Sequence, residues 1–132
     1  MTQEDKELLI RDLCARLPYG VKVQFHLPNY NTNCFDDKIG EVFEIGNVFT
    51  HVHCHGIDYL PNTYRIKPYL RPMSSMTEEE KKELIKFRWT TNNGEPRMYE
   101  WCDYANSHHL DYRGLIPKGL AVEVTEENNP YK

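Results

Sequence analysis

Apolar positions recur along the chain with two periods, and the switches between them predict its elements. Residues 3–16 (QEDKELLIRDLCAR) read as a helix, because Leu9, Leu13, Cys14 and Leu17 fall on one stripe at helical spacing, flanked by Ile10. Thr2 is placed to cap it, Glu4 and Asp5 suit the positive end of its dipole, and Pro18 and Gly20 end it. A short helix with one apolar stripe gains its stability from docking rather than from its own propensity. Over residues 21–27 the period falls to two. Val21, Val23, Phe25 and Leu27 point one way and Lys22, Gln24 and His26 the other, the pattern of a half-buried strand. Residues 28–37 (PNYNTNCFDD) are turn formers and predict a loop.

Residues 38–55 contain two strand-like runs on either side of Gly46-Asn47, a dipeptide suited to a two-residue hairpin turn. Pairing Ile45 with Val48 sets Phe43 opposite Thr50, Glu41 opposite Val52 and Ile39 opposite Cys54, on a mostly apolar face aimed at the core. Val42, Glu44, Phe49, His51, His53 and His55 then lie on the other face. A slip of one residue would reverse both faces. Residues 56–62 read as a turn region and 63–70 (TYRIKPYL) as a strand, at an edge or a strand end because Pro68 removes a ladder donor.

Thr77 and Glu80 form a capping box for a second helix running to about residue 89, with Leu84, Ile85, Phe87 and Trp89 as its apolar surface. Residues 92–96 break the chain, and 97–110 read as a third helix with Met98, Trp101, Cys102, Ala105 and His109 on one face. Gly114 suits a left-handed stop, Leu120, Val122 and Val124 alternate as a last short strand, and residues 126–132 read as a flexible tail. These elements define an α+β fold in a single domain over residues 1–125. A small curved antiparallel sheet of four or five strands, of a kind that can approach a barrel, packs against two or three helices. The expected core comprises Leu9, Leu13, Val23, Phe25, Phe43, Ile45, Val52, Ile66, Leu84, Trp101, Leu115 and Val122.

Composition narrows the class. The chain has 132 residues, 39% hydrophobic and 27% charged, a globular balance with room for one domain. No run approaches the ~20 apolar residues of a membrane helix, and the acidic, polar opening residues are unlike a secretory leader. The net charge of −4 argues against coating nucleic acid by charge alone. Cys14, Cys34, Cys54 and Cys102 form no C-x-x-C pattern, which points to reduced thiols in a cytosol, with Cys14 and Cys102 as small hydrophobes on helix faces.

Two stretches, 66–80 (IKPYLRPMSSMTEEE) and 105–124 (ANSHHLDYRGLIPKGLAVEV), resemble a recurrent group of short uncharacterised proteins of gut anaerobic bacteria and of their phages and mobile elements. The resemblance implies a soluble, intracellular, one-domain protein of bacterial or phage origin. It implies no activity and carries over no functional residue.

Three features can carry chemistry. The first is His51-Val-His53-Cys-His55. On a strand these three imidazoles share a face, and two of them can reach one metal, with His26 or Glu44 as a further ligand. Imidazole ligands suit zinc or another transition metal, and an open position would permit hydrolysis. The plain alternative is a solvated strand face. The same row would couple its own titrations, since neighbouring imidazolium ions repel.

The second feature interleaves bases and aromatics. Arg65, Lys67, Tyr69 and Arg71 can hold single-stranded nucleic acid or a partner, or can simply protect a sheet edge. In the third, His108 and Asp111 lie three apart and resemble a base with its orienter, without a nucleophile beside them, while Arg113 can pair with Asp111 or cap a helix end. The expectation ranked first is a non-catalytic cytoplasmic binding or accessory protein without a cofactor, whose partner is another protein. Nine tyrosines suit that role. A metal-binding protein or metal-dependent hydrolase and a single-strand binder are the alternatives.

Overall fold

A computed structural model describes residues 1–29, 34–87 and 98–131. Helix α1 spans Gln3–Arg16. Thr2 caps it as expected: its hydroxyl accepts from the Asp5 amide at 3.1 Å, and the Asp5 carboxylate accepts from the Thr2 amide at 3.2 Å. Its buried face differs from the predicted stripe. Leu9 and Leu13 are buried together with Asp12 and Arg16, and Cys14 is exposed. The rotation follows from pairing. Arg16 Nε donates to Asp12 at 2.8 Å, Arg16 Nη2 donates to the Leu110 carbonyl at 2.6 Å, and Arg113 Nη1 donates to Asp12 at 2.9 Å. A charge stays buried when paired and hydrogen-bonded in this way.

Six strands follow: β1 Lys22–Asn29, β2 Cys34–Ile45, β3 Thr50–Cys54, β4 Ile57–Tyr59, β5 Lys67–Leu70 and β6 Val122–Glu123. They form one open sheet in the order β4-β3-β2-β1-β5-β6, antiparallel except for the parallel pair β5 and β6. The α+β class and the mostly antiparallel sheet match the sequence reading, with one strand more than expected. Part of the predicted loop over 28–37 is strand, with Pro28 opposite Phe35 and Asn29 opposite Cys34. The extra strand is β4, which turns back from β3 through His55-Gly56, both at positive φ (51° and 79°), the backbone of a type I′ hairpin.

The β2–β3 register departs from the expected one. Ile45 pairs with Thr50, Val42 with Val52 and Glu41 with His53, and an irregularity between Val42 and Glu44 leaves Phe43 over. The turn therefore spans four residues rather than two, and the bulge reverses β2. Gly40 and Val42 face the core, while Ile39 and Phe43 are 45% and 47% exposed. Gly40 explains the choice. A Cβ there would lie 2.4 Å from Val52 Cγ1 and 2.8 Å from the His53 carbonyl, so no larger side chain fits that close approach. On β3 the expected face holds, with Thr50, Val52 and Cys54 buried.

α1 packs against the inner face of the sheet, where Leu9, Leu13, Val23, Phe25, Val52, Ile66 and Leu115 join the main core. α2 (Glu78–Lys86) and α3 (Met98–Ser107) build a second cluster around Leu84, Ala105 and Leu110. The Thr77–Glu80 capping box forms as predicted, with Thr77 Oγ1 accepting from the Glu80 amide at 3.2 Å. α2 stops at Lys86, short of the expected end, and Trp89 and the break at 92–96 lie outside the described residues. Trp101, Ile45 and Val122 are only partly buried.

The segment from residue 126 stays on the body of the protein. Tyr131 stacks on His109 with centroids 3.6 Å apart, and its hydroxyl donates to the Tyr69 carbonyl at 2.7 Å and accepts from the Lys22 amide at 3.1 Å. No helix among the described residues is long and apolar enough to cross a membrane.

Candidate functional site

The sheet has one face under α1 and one that no element among the described residues covers. Alternation places Gln24 and His26 of β1, Asp37, Ile39 and Glu41 of β2, and His51 and His53 of β3 on the uncovered face, with Phe43 leaning out at the bulge. His26, Asp37, Ile39, Phe43, Glu44, His53 and Lys67 are all exposed there.

Each histidine on this face meets a carboxylate from the neighbouring strand. His26 Nδ1 bonds Asp37, His51 Nδ1 lies 3.1 Å from Glu44, and His53 Nδ1 lies 2.8 Å from Asp58. Glu44 thus approaches the histidine row as the sequence suggested. It does so as the partner of one imidazole, and Phe43 leans on the same ring at a centroid distance of 5.2 Å.

His55 is a correction. It sits in the turn after β3, at a φ of 51°, and so does not continue the strand alternation that would align it with His51 and His53. His26 lies on β1, separated from β3 by the whole of β2. Among the described residues no group of three or more His, Cys, Asp or Glu side chains lies close enough together to hold a metal ion. Asp37 and Asp58 went unnoticed in the sequence, because cross-strand pairing joins them to their histidines and register is not printed in local spacing.

The basic and aromatic run is divided. Arg65 and Lys67 are exposed, and neither makes an ion pair among the described residues. Tyr69 is 5% exposed. Arg71 is engaged with Glu80 through both ends of its fork, at 2.8 and 2.7 Å, and also donates to the Ser75 carbonyl at 3.2 Å. That fork holds the Glu80 carboxyl at about 2, well below the usual carboxylate range. Arg71 therefore joins the end of β5 to the start of α2 and is not free to hold a phosphate backbone.

The His108–Asp111 pair does not form either. His108 Nδ1 donates to the Tyr104 carbonyl at 2.9 Å, and Asp111 accepts from the Leu115 and Ile116 amides at 2.8 and 2.9 Å. Arg113 turns to Asp12 rather than to Asp111.

Exposed large apolar side chains are concentrated in one stretch of the chain, on both sides of the sheet. Of the nine that are exposed among the described residues, Ile39, Phe43, Val48, Phe49, Ile57 and Leu60 all belong to β2–β4 and their connections. The 46–49 turn is tied down by Thr63. Thr63 Oγ1 donates to the Gly46 carbonyl at 2.7 Å, and the Thr63 amide donates to the Val48 carbonyl at 2.9 Å.

At the far end of the uncovered face is a groove of about 480 Å³ lined by His26, Asp37, Pro61, Asn62 and Arg65. It brings together two residues, His26 and Arg65, that the sequence assigned to different functions.

Fold and face together define an α+β protein with an open sheet and an aromatic, histidine-bearing surface. No family model, no curated protein and no solved structure matches the chain.

Proposed function

We propose that the chain is a non-catalytic accessory protein of the cytosol, of bacterial or mobile-element origin, that docks on another protein through the uncovered half of its sheet. The observation that supports this is the exposure of Ile39 and Phe43 on that face and of Phe49 where it runs into the 46–49 turn, since monomeric proteins seldom group exposed apolar side chains. Covering a half-exposed Phe or Ile contributes on the order of 1 kcal/mol, and several together suffice for a specific contact. Histidines with their carboxylates supply a polar rim around that centre.

The experiment places a photo-crosslinking residue at position 43 in the organism that encodes the protein, with position 82 on α2 as control. One protein should cross-link from position 43 and not from position 82. An Ile39→Asp, Phe49→Asp double variant, with its melting temperature unchanged, should weaken that contact by about tenfold or more. Equal products from both positions, or binding untouched by the double variant, would contradict the reading.

A further inference from the structure

The groove at the β1 end of the uncovered face has a chemistry distinct from the apolar half, and the inference from it does not rest on the docking reading. Three elements supply its polar groups, and the His26 and Asn62 side chains are each held by a bond of their own. Asp37 on β2 holds His26 on β1 through Nδ1, which sets the ring orientation and leaves Nε2 on the opposite edge. Asn62 Oδ1 accepts from the Tyr64 amide at 2.9 Å, so the Nδ2 hydrogens of Asn62 remain as donors. The turn that carries Arg65 is closed by the Arg65 amide donating to the Asn62 carbonyl at 3.0 Å. It is anchored below by buried Thr63, whose hydroxyl lies 2.7 Å from that of Thr50. Arg65 itself has no carboxylate partner among the described residues, unlike Arg16, Arg71 and Arg113.

Arg65, Asn62 and His26 thus line one space of about 480 Å³, together with Asp37 and with Pro61 as an apolar wall. We propose that this groove binds a phosphate monoester. Two phosphate oxygens match the Arg65 fork, and Asn62 Nδ2 donates to one of them. The remaining oxygen carries the proton of the monoanion and donates it in a hydrogen bond to His26 Nε2. Phosphate suits that position because its second ionisation falls near neutral pH, whereas a carboxylate has lost its proton well below. Asp37 accepts from Nδ1, which leaves Nε2 as the ring nitrogen that can accept that proton. Pro61 gives the ester group an apolar surface to lie on.

The test titrates inorganic phosphate, and separately acetate, into isotope-labelled protein in chloride buffer while following the His26 imidazole and Arg65 Nε resonances. Phosphate should shift both signals to saturation in the millimolar range, and acetate should shift neither. Arg65→Gln, an exposed substitution that leaves the melting temperature unchanged, should weaken phosphate binding by about tenfold. His26→Gln should also weaken it while leaving the Arg65 shift in place. A response that does not saturate by roughly 50 mM, an equal response to acetate, or wild-type titration by Arg65→Gln would each overturn the proposal.

Discussion

His109 shows how one residue couples conformation, burial and charge. It takes a left-handed backbone with a φ of 59° where α3 gives way to the next segment, and its ring lies flat against Tyr131. Burial, reinforced by the nearby charges of Arg16, His108 and Arg71, lowers its pKa from 6.5 to about 4. Between those values the unfolded chain binds a proton that the folded chain refuses, so stability falls as pH drops from 6.5 to about 4. Glu80 acts in a lower window. Its pKa is held at about 2 rather than 4.5, so its contribution is complete above pH 4.5 and is lost as pH falls towards 2.

Replacing His109 by Asn, which tolerates left-handed backbone, should remove the loss between pH 6.5 and 4, on the order of 2 kcal/mol, and leave the loss below 4.5 intact. Urea denaturation across that range checks it, and an unchanged pH slope in His109→Asn would refute the assignment. Little of this was readable in the sequence. His109 showed as a core-facing residue, but Arg16 and Arg71 reach it from α1 and from just beyond β5. The Asp12–Arg16 spacing resembles a surface helix pair until Arg113, distant in sequence, closes over it.

At the scale of elements, local signals succeeded where the physics is local. Caps at Thr2 and Thr77 were legible because the partners lie three residues away. α1 was legible from its spacing, apart from the rotation that buries Asp12 and Arg16. The β2–β3 hairpin was not, because both possible faces of β2 carry apolar residues: Ile39, Phe43 and Ile45 on one, Val42 on the other. Gly46-Asn47 suggested a tight turn, but Thr63, brought in from beyond β4, clamps a longer one. Gly40 breaks the tie, and its meaning depends on Val52 and Phe25 across the sheet.

The observed register carries its own test. Gly40→Ala should cost about 1–3 kcal/mol through overpacking, while Phe43→Lys should stay within about 0.5 kcal/mol. The two-residue register reverses that order, because it aims Phe43 at the core. Denaturant midpoints of the two variants decide between them.

For the molecule as a whole, the α+β class and the balance of helices to sheet followed from periodicity. The candidate surface did not. The sequence offered a histidine row and a basic-aromatic strand as separate sites. Folding spread the histidines over three pairs of strands with a carboxylate each, placed His55 in a turn, and drew Tyr69 and Arg71 into structural contacts. What it assembled instead is a continuous uncovered face with an apolar half and a polar groove. Sheet order made that face, and sheet order follows from long-range pairing that no local window contains.

The central claim, that this face stands open in the free protein, is tested most directly by solvent paramagnetic relaxation of side-chain resonances. Ile39, Phe43, His53 and Lys67 should relax strongly, and Val23, Phe25, Val42 and Val52 should be shielded. Shielding of Ile39 and Phe43, with strong relaxation at Val42, would contradict it.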